Sequence, residues 1–158
     1  MTAAPDERES AYELLQRGYE LMAQRHNAQA AVILERAAAI EPGKGSILEA
    51  LGRACYNSGQ RERAAEVFEA LLEIDPSADY AHYALGQSLK KLGRIDEART
   101  HLRLAVALDP ASALYRGALD RLPPPAVAPT EPPPTAPGSG RAAPGSGPEA
   151  PSAPADEV

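Results

Sequence analysis

The chain has 158 residues, with 22 Asp and Glu against 16 Lys and Arg, one cysteine and no tryptophan. This mildly acidic balance argues against a general nucleic-acid binder, which carries a basic surplus. The lone Cys55 excludes an internal disulfide and points to a reducing compartment.

The start, MTAAPDERES, has acidic residues where a signal peptide has its apolar stretch, and residues 1–9 read as a flexible N-terminus. From residue 10 the chain alternates helices and turns. Ser10-Ala-Tyr-Glu13 has the capping-box form, in which Ser and Glu satisfy free amides at a helix start. A turn is expected at His26-Asn27, and a second helix should stop at Ile40-Glu41-Pro42, because the residue before proline avoids the helical region. Ser46-Ile-Leu-Glu49 repeats the capping-box form; Ser58-Gly59-Gln60 then supplies a turn and Ile74-Asp75-Pro76 a stop. Asp79 is the expected N-cap of a fifth helix, followed by a turn at Leu92-Gly93-Arg94 and a stop at Leu108-Asp109-Pro110. Gly59 and Gly93 suit left-handed C-caps, whereas the first copy has Arg25 in that place. A seventh helix over 112–122 should cover the last unit's apolar face. Its buried stripe is expected to be Leu114, Ala118 and Leu122, with Arg116 and Asp120 paired in solvent.

Composition changes after Leu122. Residues 123–158 hold 12 of the 16 prolines and no aromatic, leucine or isoleucine, so this tail is expected to be disordered. Spacings such as Pro134-Thr-Ala-Pro137 allow three roles: a passive tether, a ligand for an SH3-like groove, or an intramolecular competitor for a binding site.

The ordered stretch 10–122 repeats every 34 residues. Gly18, Gly52 and Gly86 keep this interval, as do Ala30, Ala64 and Ala98, then Leu34, Phe68 and Leu102, and the three prolines. Such a period signals stacked supersecondary units. Each mid-helix glycine costs about 1 kcal/mol relative to alanine, so its recurrence calls for close helix contact, and Ala64 is the expected partner of Gly52. With Leu51-Gly52, Leu85-Gly86, Ala64-x3-Phe68 and Ala98-x3-Leu102, the chain resembles the tetratricopeptide repeat. Leu14, Leu48 and His82 stand where that pattern has tryptophan, and Arg17 replaces the leucine before Gly18. The resemblance implies an all-α, right-handed α-solenoid of three helix–turn–helix units, at 11–44, 45–78 and 79–112, plus the capping helix.

Signs of catalysis are weak. Pro42-Gly43-Lys44-Gly45-Ser46 imitates a P-loop, but Gly45 separates Lys44 from Ser46 and Ala38 stands where the first glycine belongs. His26, His82 and His101 have no i, i+3 or i, i+4 relation, and Cys55 falls between packing residues. A non-enzymatic protein without metal or cofactor is expected. No run approaches eighteen apolar residues, so no membrane contact through a spanning helix is expected, and the expected location is the cytoplasm. Abundant Ala, Arg and Pro fit a GC-rich bacterial genome.

The resemblance also implies a concave face lined by the first helix of every unit. Its peptide-contacting columns hold Tyr12, Leu15, Tyr19 and Met22; then Ser46, Glu49, Arg53, Tyr56 and Asn57; then Tyr80, Tyr83, Gln87, Lys90 and Lys91. Five of the six tyrosines fall there, which suits a binding surface because tyrosine combines apolar area, a hydroxyl and few rotors. Helix-seam packing is the competing use of the same rings. The columns of the family's carboxylate clamp hold Leu15, Tyr19, Ala50, Tyr80 and Ala84, so an Hsp70 or Hsp90 tail is not the expected ligand. The expected partner is a peptide with apolar anchors and some acidic residues, drawn to Arg53, Lys90 and Lys91, and held by a monomer or weak homo-oligomer. An adaptor is the first reading. A secretion or assembly chaperone, like the three-repeat chaperones of type III secretion, is the second, and a self-associating scaffold the third.

Overall fold

The computed structural model describes residues 9–126, and the expectations for the N-terminal eight residues and for the tail beyond Ala126 lie outside them. The described residues form α1 (Ala11–Ala23), α2 (Asn27–Ile40), α3 (Gly45–Asn57), α4 (Arg61–Ile74), α5 (Asp79–Lys91), α6 (Ile95–Leu108) and α7 (Ala113–Asp120). Helices pair as α1–α2, α3–α4 and α5–α6, and each pair stacks on the next, giving the right-handed α-solenoid of three units. First helices also touch one another, α1 against α3 and α3 against α5. The stack therefore closes on the first-helix side, which makes that side its inner face.

The turn inside each unit has the same hydrogen-bonded form. The amides of His26, Gln60 and Arg94 reach back to the carbonyls of Leu21, Cys55 and Leu89 at 2.8–2.9 Å. Those of Arg25, Gly59 and Gly93 reach Met22, Tyr56 and Lys90 at 2.9–3.2 Å. This is the Schellman arrangement, which needs a left-handed residue just after the helix. Gly59 and Gly93 supply it with φ of +87° and +80°, and Arg25 is forced to +63°. A side chain in that region costs about 1–2 kcal/mol. Arg25→Gly should therefore stabilise the chain by about 0.5–1 kcal/mol, less than the full penalty because glycine also loosens the unfolded state. Thermal unfolding checks this; an unchanged or lower midpoint contradicts it.

Caps between units depart from the sequence expectation. Ser10 and Glu13 form their reciprocal capping box. Ser46 does not cap, because α3 starts two residues earlier than such a cap requires and Lys44 takes the N-cap position. Asp79 lies inside α5, whose N-cap is Ala78. The inter-unit turns use a different device: the Asp75 carboxylate accepts from the Ser77 amide and hydroxyl at 3.0 and 2.7 Å, and Asp109 accepts from the Ala111 amide at 3.2 Å. In the P-loop-like segment, Lys44 pairs with Glu41 at 3.0 Å, within the loop between α2 and α3.

The core is a column of small and large residues in alternation. Ala30, Ala64 and Ala98 are fully buried, as are Leu34, Phe68 and Leu102. The glycines of the 34-residue column, Gly18, Gly52 and Gly86, each meet the large member of the Ala-x3-Phe pair most closely. A Cβ on Gly52 would meet the Phe68 ring at 2.6–2.9 Å, and one on Gly18 would meet Leu34 at 2.5–3.0 Å. The glycines thus make room for the large member of the Ala-x3-Phe pair. At Gly86 the alanine column is close as well, with the Ala98 carbonyl at 3.2 Å. On α7 the buried residues are Tyr115 and Ala118, joined by Leu122 just past its end, while Leu114 is exposed. No helix among the described residues is long and apolar enough to cross a membrane.

Candidate functional site

A groove of about 290 Å³ opens on the inner face between α3 and α5. Its α3 wall is one turn at the helix end, Arg53, Tyr56 and Asn57; its α5 wall is Tyr80, Tyr83, Ala84 and Gln87. Helical spacing explains both walls, since residues three and four apart lie on one face. Phe68 from α4 forms the floor and is fully buried.

The rings form a continuous run. Tyr80 stands edge-on to Phe68, with centroids 6.4 Å apart and planes at 76°. Tyr83 lies 6.0 Å from Tyr80, and Tyr115 of α7 stacks on Tyr83 at 5.1 Å and 30°. The Tyr115 hydroxyl donates to the Asp79 carboxylate at 3.1 Å, tying the capping helix to the start of α5. Burial, followed by this bond to Asp79, pushes the Tyr115 hydroxyl up to about 12. Burial likewise raises Tyr56 and Tyr80 above the ordinary phenol range, with Arg53 acting against the rise at Tyr80. These hydroxyls therefore keep their protons, and their donor capacity, at neutral pH. Arg53 is loosely paired with Glu49, at 4.0 Å.

The sequence-derived inner-face residues divide into groups. Arg53, Tyr56, Asn57, Tyr80, Tyr83 and Gln87 line the groove together. Lys90 and Lys91 follow in the last turn of α5, outside the lining. Tyr12 and Tyr19 of α1 are exposed, and Met22 packs partly on the core; none of the three reaches the groove. Leu15 is buried in the core and offers no surface, because it faces inward beside Leu14. Sequence reasoning missed Phe68, Ala84 and Tyr115. Tyr115 was the sixth tyrosine, and its place in the column of Ile47 and Ala81, both buried, marked it as an inward-facing residue.

A tetratricopeptide repeat model matches residues 21–81 and 58–122. The chain belongs to the tetratricopeptide repeat family. Similar solved structures include the first repeat domain of Spaghetti (RPAP3) bound to the HSP90 peptide SRMEEVD, at 15% identity and TM-score 0.68, covering 70% of this chain and 88% of that one. YrrB, described as having an unusual peptide-binding site, matches at 22% identity and TM-score 0.69, covering 72% and 59%. The Yersinia enterocolitica type III secretion chaperone SycD, in complex with a peptide of the translocator YopD, matches at 15% identity and TM-score 0.64, covering 69% and 88%. Comparison with curated proteins gives no match. At these identities the likeness establishes the fold alone.

Two residues elsewhere are brought together by this tetratricopeptide stack. The His82 and His101 rings stack at 5.3 Å, with their Nδ1 atoms 3.0 Å apart. His82 Nε2 donates to the Pro76 carbonyl at 3.0 Å, which leaves its Nδ1 as acceptor for the Nδ1–H of His101. No second proton fits between the two Nδ1 atoms. Burial first, then His82, holds His101 below the ordinary imidazole value of 6.5; Arg94 acts in the same direction and Glu97 against it. The unfolded chain therefore takes up this proton first as pH falls. The stability linked to His101 staying neutral is complete above the unfolded imidazole pKa and declines as pH drops below it. Thermal midpoints should fall more steeply from about pH 7.5 to about pH 5.5 in the natural protein than in His101→Gln, which keeps a donor but cannot titrate. Parallel profiles would contradict this assignment. Cys55 is fully buried and its thiol is pushed up to about 11, chiefly by burial, which makes it a poor nucleophile at neutral pH.

Proposed function

We propose that this chain is a non-enzymatic protein-interaction module that holds a partner peptide in the groove between α3 and α5. The observation that supports this most directly is the meeting of Tyr56, Tyr80 and Tyr83 over a Phe68 floor, half-buried rather than sealed into the core. Half-buried rings at a concave surface can desolvate a ligand's apolar anchors and still offer hydroxyls to its backbone. Arg53 on the α3 wall and Lys90 and Lys91 in the last turn of α5 add positive charge, which favours a partner with acidic residues beside its anchors. The peptide named in the SycD complex makes a client-holding chaperone the second reading. That reading uses the same groove and differs in the partner's fate.

Affinity capture with the natural protein and with Tyr56→Ala/Tyr83→Ala tests the proposal. Partners retained by the first and lost by a folded second protein support it; equal recovery of every partner refutes it.

A further inference from the structure

We infer that the groove continues into an anion subsite, in which Arg61, Lys90 and Lys91 take a pair of acidic side chains about 10 Å from the partner's apolar anchor. This rests on the groove reading above and deepens it, by fixing where the partner's charge sits relative to its anchor. All three cations lie beyond the lining, at the end of the groove where α3 and α5 finish. Lys90 and Lys91 occupy the last turn of α5, one turn after Gln87. Helical rotation places them in the sector of Tyr80, Tyr83 and Gln87. The 34-residue interval puts them in the columns of Tyr56 and Asn57, which line the groove on α3. Arg61 opens α4 just past that end. Burial and Tyr83 raise the Tyr56 hydroxyl and Arg61 acts against them, so its guanidinium is within electrostatic reach of that ring.

The charge there is uncompensated. The protein is acidic overall, with 22 Asp and Glu against 16 Lys and Arg, yet among the described residues Arg61, Lys90 and Lys91 make no ion pair. Arg53, Arg63 and Arg94, by contrast, each have a glutamate within 4.0 Å. Complementing the helix dipole is a general reason for cations at a C-terminus, but none of the other six helices carries one in its last turn. The three charges bound one end of the groove with a field that a pair of carboxylates completes. Towards the other end, Glu49 already pairs with Arg53 at 4.0 Å, so acidic residues are favoured on the Arg61 side. Spacing follows from the helix. Lys90 comes seven positions after Tyr83 on the groove wall, a rise of about 10 Å. An acidic residue next to the anchor falls short of that distance. One three residues away in an extended segment spans it, at about 3.3 Å per residue.

The test is fluorescence anisotropy of the full chain at low salt with three labelled peptides on a glycine–serine frame, each with one central phenylalanine as anchor. The first carries an Asp-Asp pair starting three residues from the anchor on both sides, so that either chain direction reaches the cations. The second has Asn-Asn in those places, and the third has the Asp-Asp pairs directly beside the anchor. The first should bind at least about tenfold more tightly than either of the others, and its advantage should shrink as salt rises. Lys90→Gln/Lys91→Gln and Arg61→Gln should each remove most of its advantage over the second. Arg103→Gln/Arg116→Gln, which removes as much charge as the lysine pair from exposed positions outside the lining, should leave that advantage intact. An advantage lost equally in this control reflects net charge alone and overturns the subsite, as does equal binding of the first and third peptides. Equal binding of the first and second also overturns it; if that binding is lost in Tyr56→Ala/Tyr83→Ala, the groove reading stands while the subsite falls. Absence of saturable binding by all three peptides refutes the inference as well.

Discussion

Gly52→Ala should destabilise the protein by about 1–3 kcal/mol, although alanine is the better helix former by about 1 kcal/mol. The new Cβ would lie 2.6–2.9 Å from three atoms of the Phe68 ring, well inside contact distance. Phe68 is fully buried and is contacted edge-on by Tyr80, so the ring can yield only by displacing Tyr80 or rising into the groove it floors. Overpacking at a rigid ring exceeds the propensity gain. Gly117→Ala is the matched control: its nearest atoms belong to the Arg121 guanidinium at 3.5–3.7 Å, an exposed and flexible end that can move away. There the propensity term stands alone, and the thermal midpoint should rise. Because Phe68 is the groove floor, the Gly52 variant should also bind its partner less tightly. The double variant Gly52→Ala/Phe68→Ala should lose less than the sum of its parts, with a coupling of about 0.5 kcal/mol or more. A Gly52→Ala protein as stable as the natural one would show that the two helices are not held at this separation.

Tyr56→Ala and Tyr83→Ala should carry the largest binding losses, about 2 kcal/mol or more each, or roughly thirtyfold in affinity. Both rings line the groove, one on each wall. Tyr83 is further oriented by its stacking on Tyr115, so Tyr115→Ala should weaken binding indirectly. Tyr19→Ala should cost less than about 1 kcal/mol, because that ring lies on α1, outside the groove. Titration of a captured partner segment against each variant separates these cases. Equal losses for Tyr19 and Tyr83 would place the partner along the whole inner face instead.

Much of the fold was legible because its signals are local. A left-handed glycine, an Asp-Pro stop and a 34-residue period act within a few residues, and the structure places helices between them. Even Arg25 follows the pattern, since the surrounding Schellman bonds hold it at a φ it would not choose. Contacts between units were less legible. Spacing identified the inward face of α5 and the Gly52 column, but not that the atoms nearest Gly52 belong to Phe68, one turn beyond Ala64. Leu114 was favoured over Tyr115 for the buried side of α7 because an eight-residue helix carries little periodic signal. The deciding partners, Tyr83 and the Asp79 carboxylate, belong to α5. The two histidines escaped for the same reason: they are 19 residues apart and meet only because α5 and α6 pack together.

The central claim is that partner binding occupies the inner face between α3 and α5. Hydrogen–deuterium exchange of the full chain, with and without a captured partner segment, tests it most directly. Slowed exchange confined to the last turn of α3 and to residues 80–87 of α5 is the predicted result. Protection on α2, α4 and α6 with α3 and α5 unchanged would contradict it.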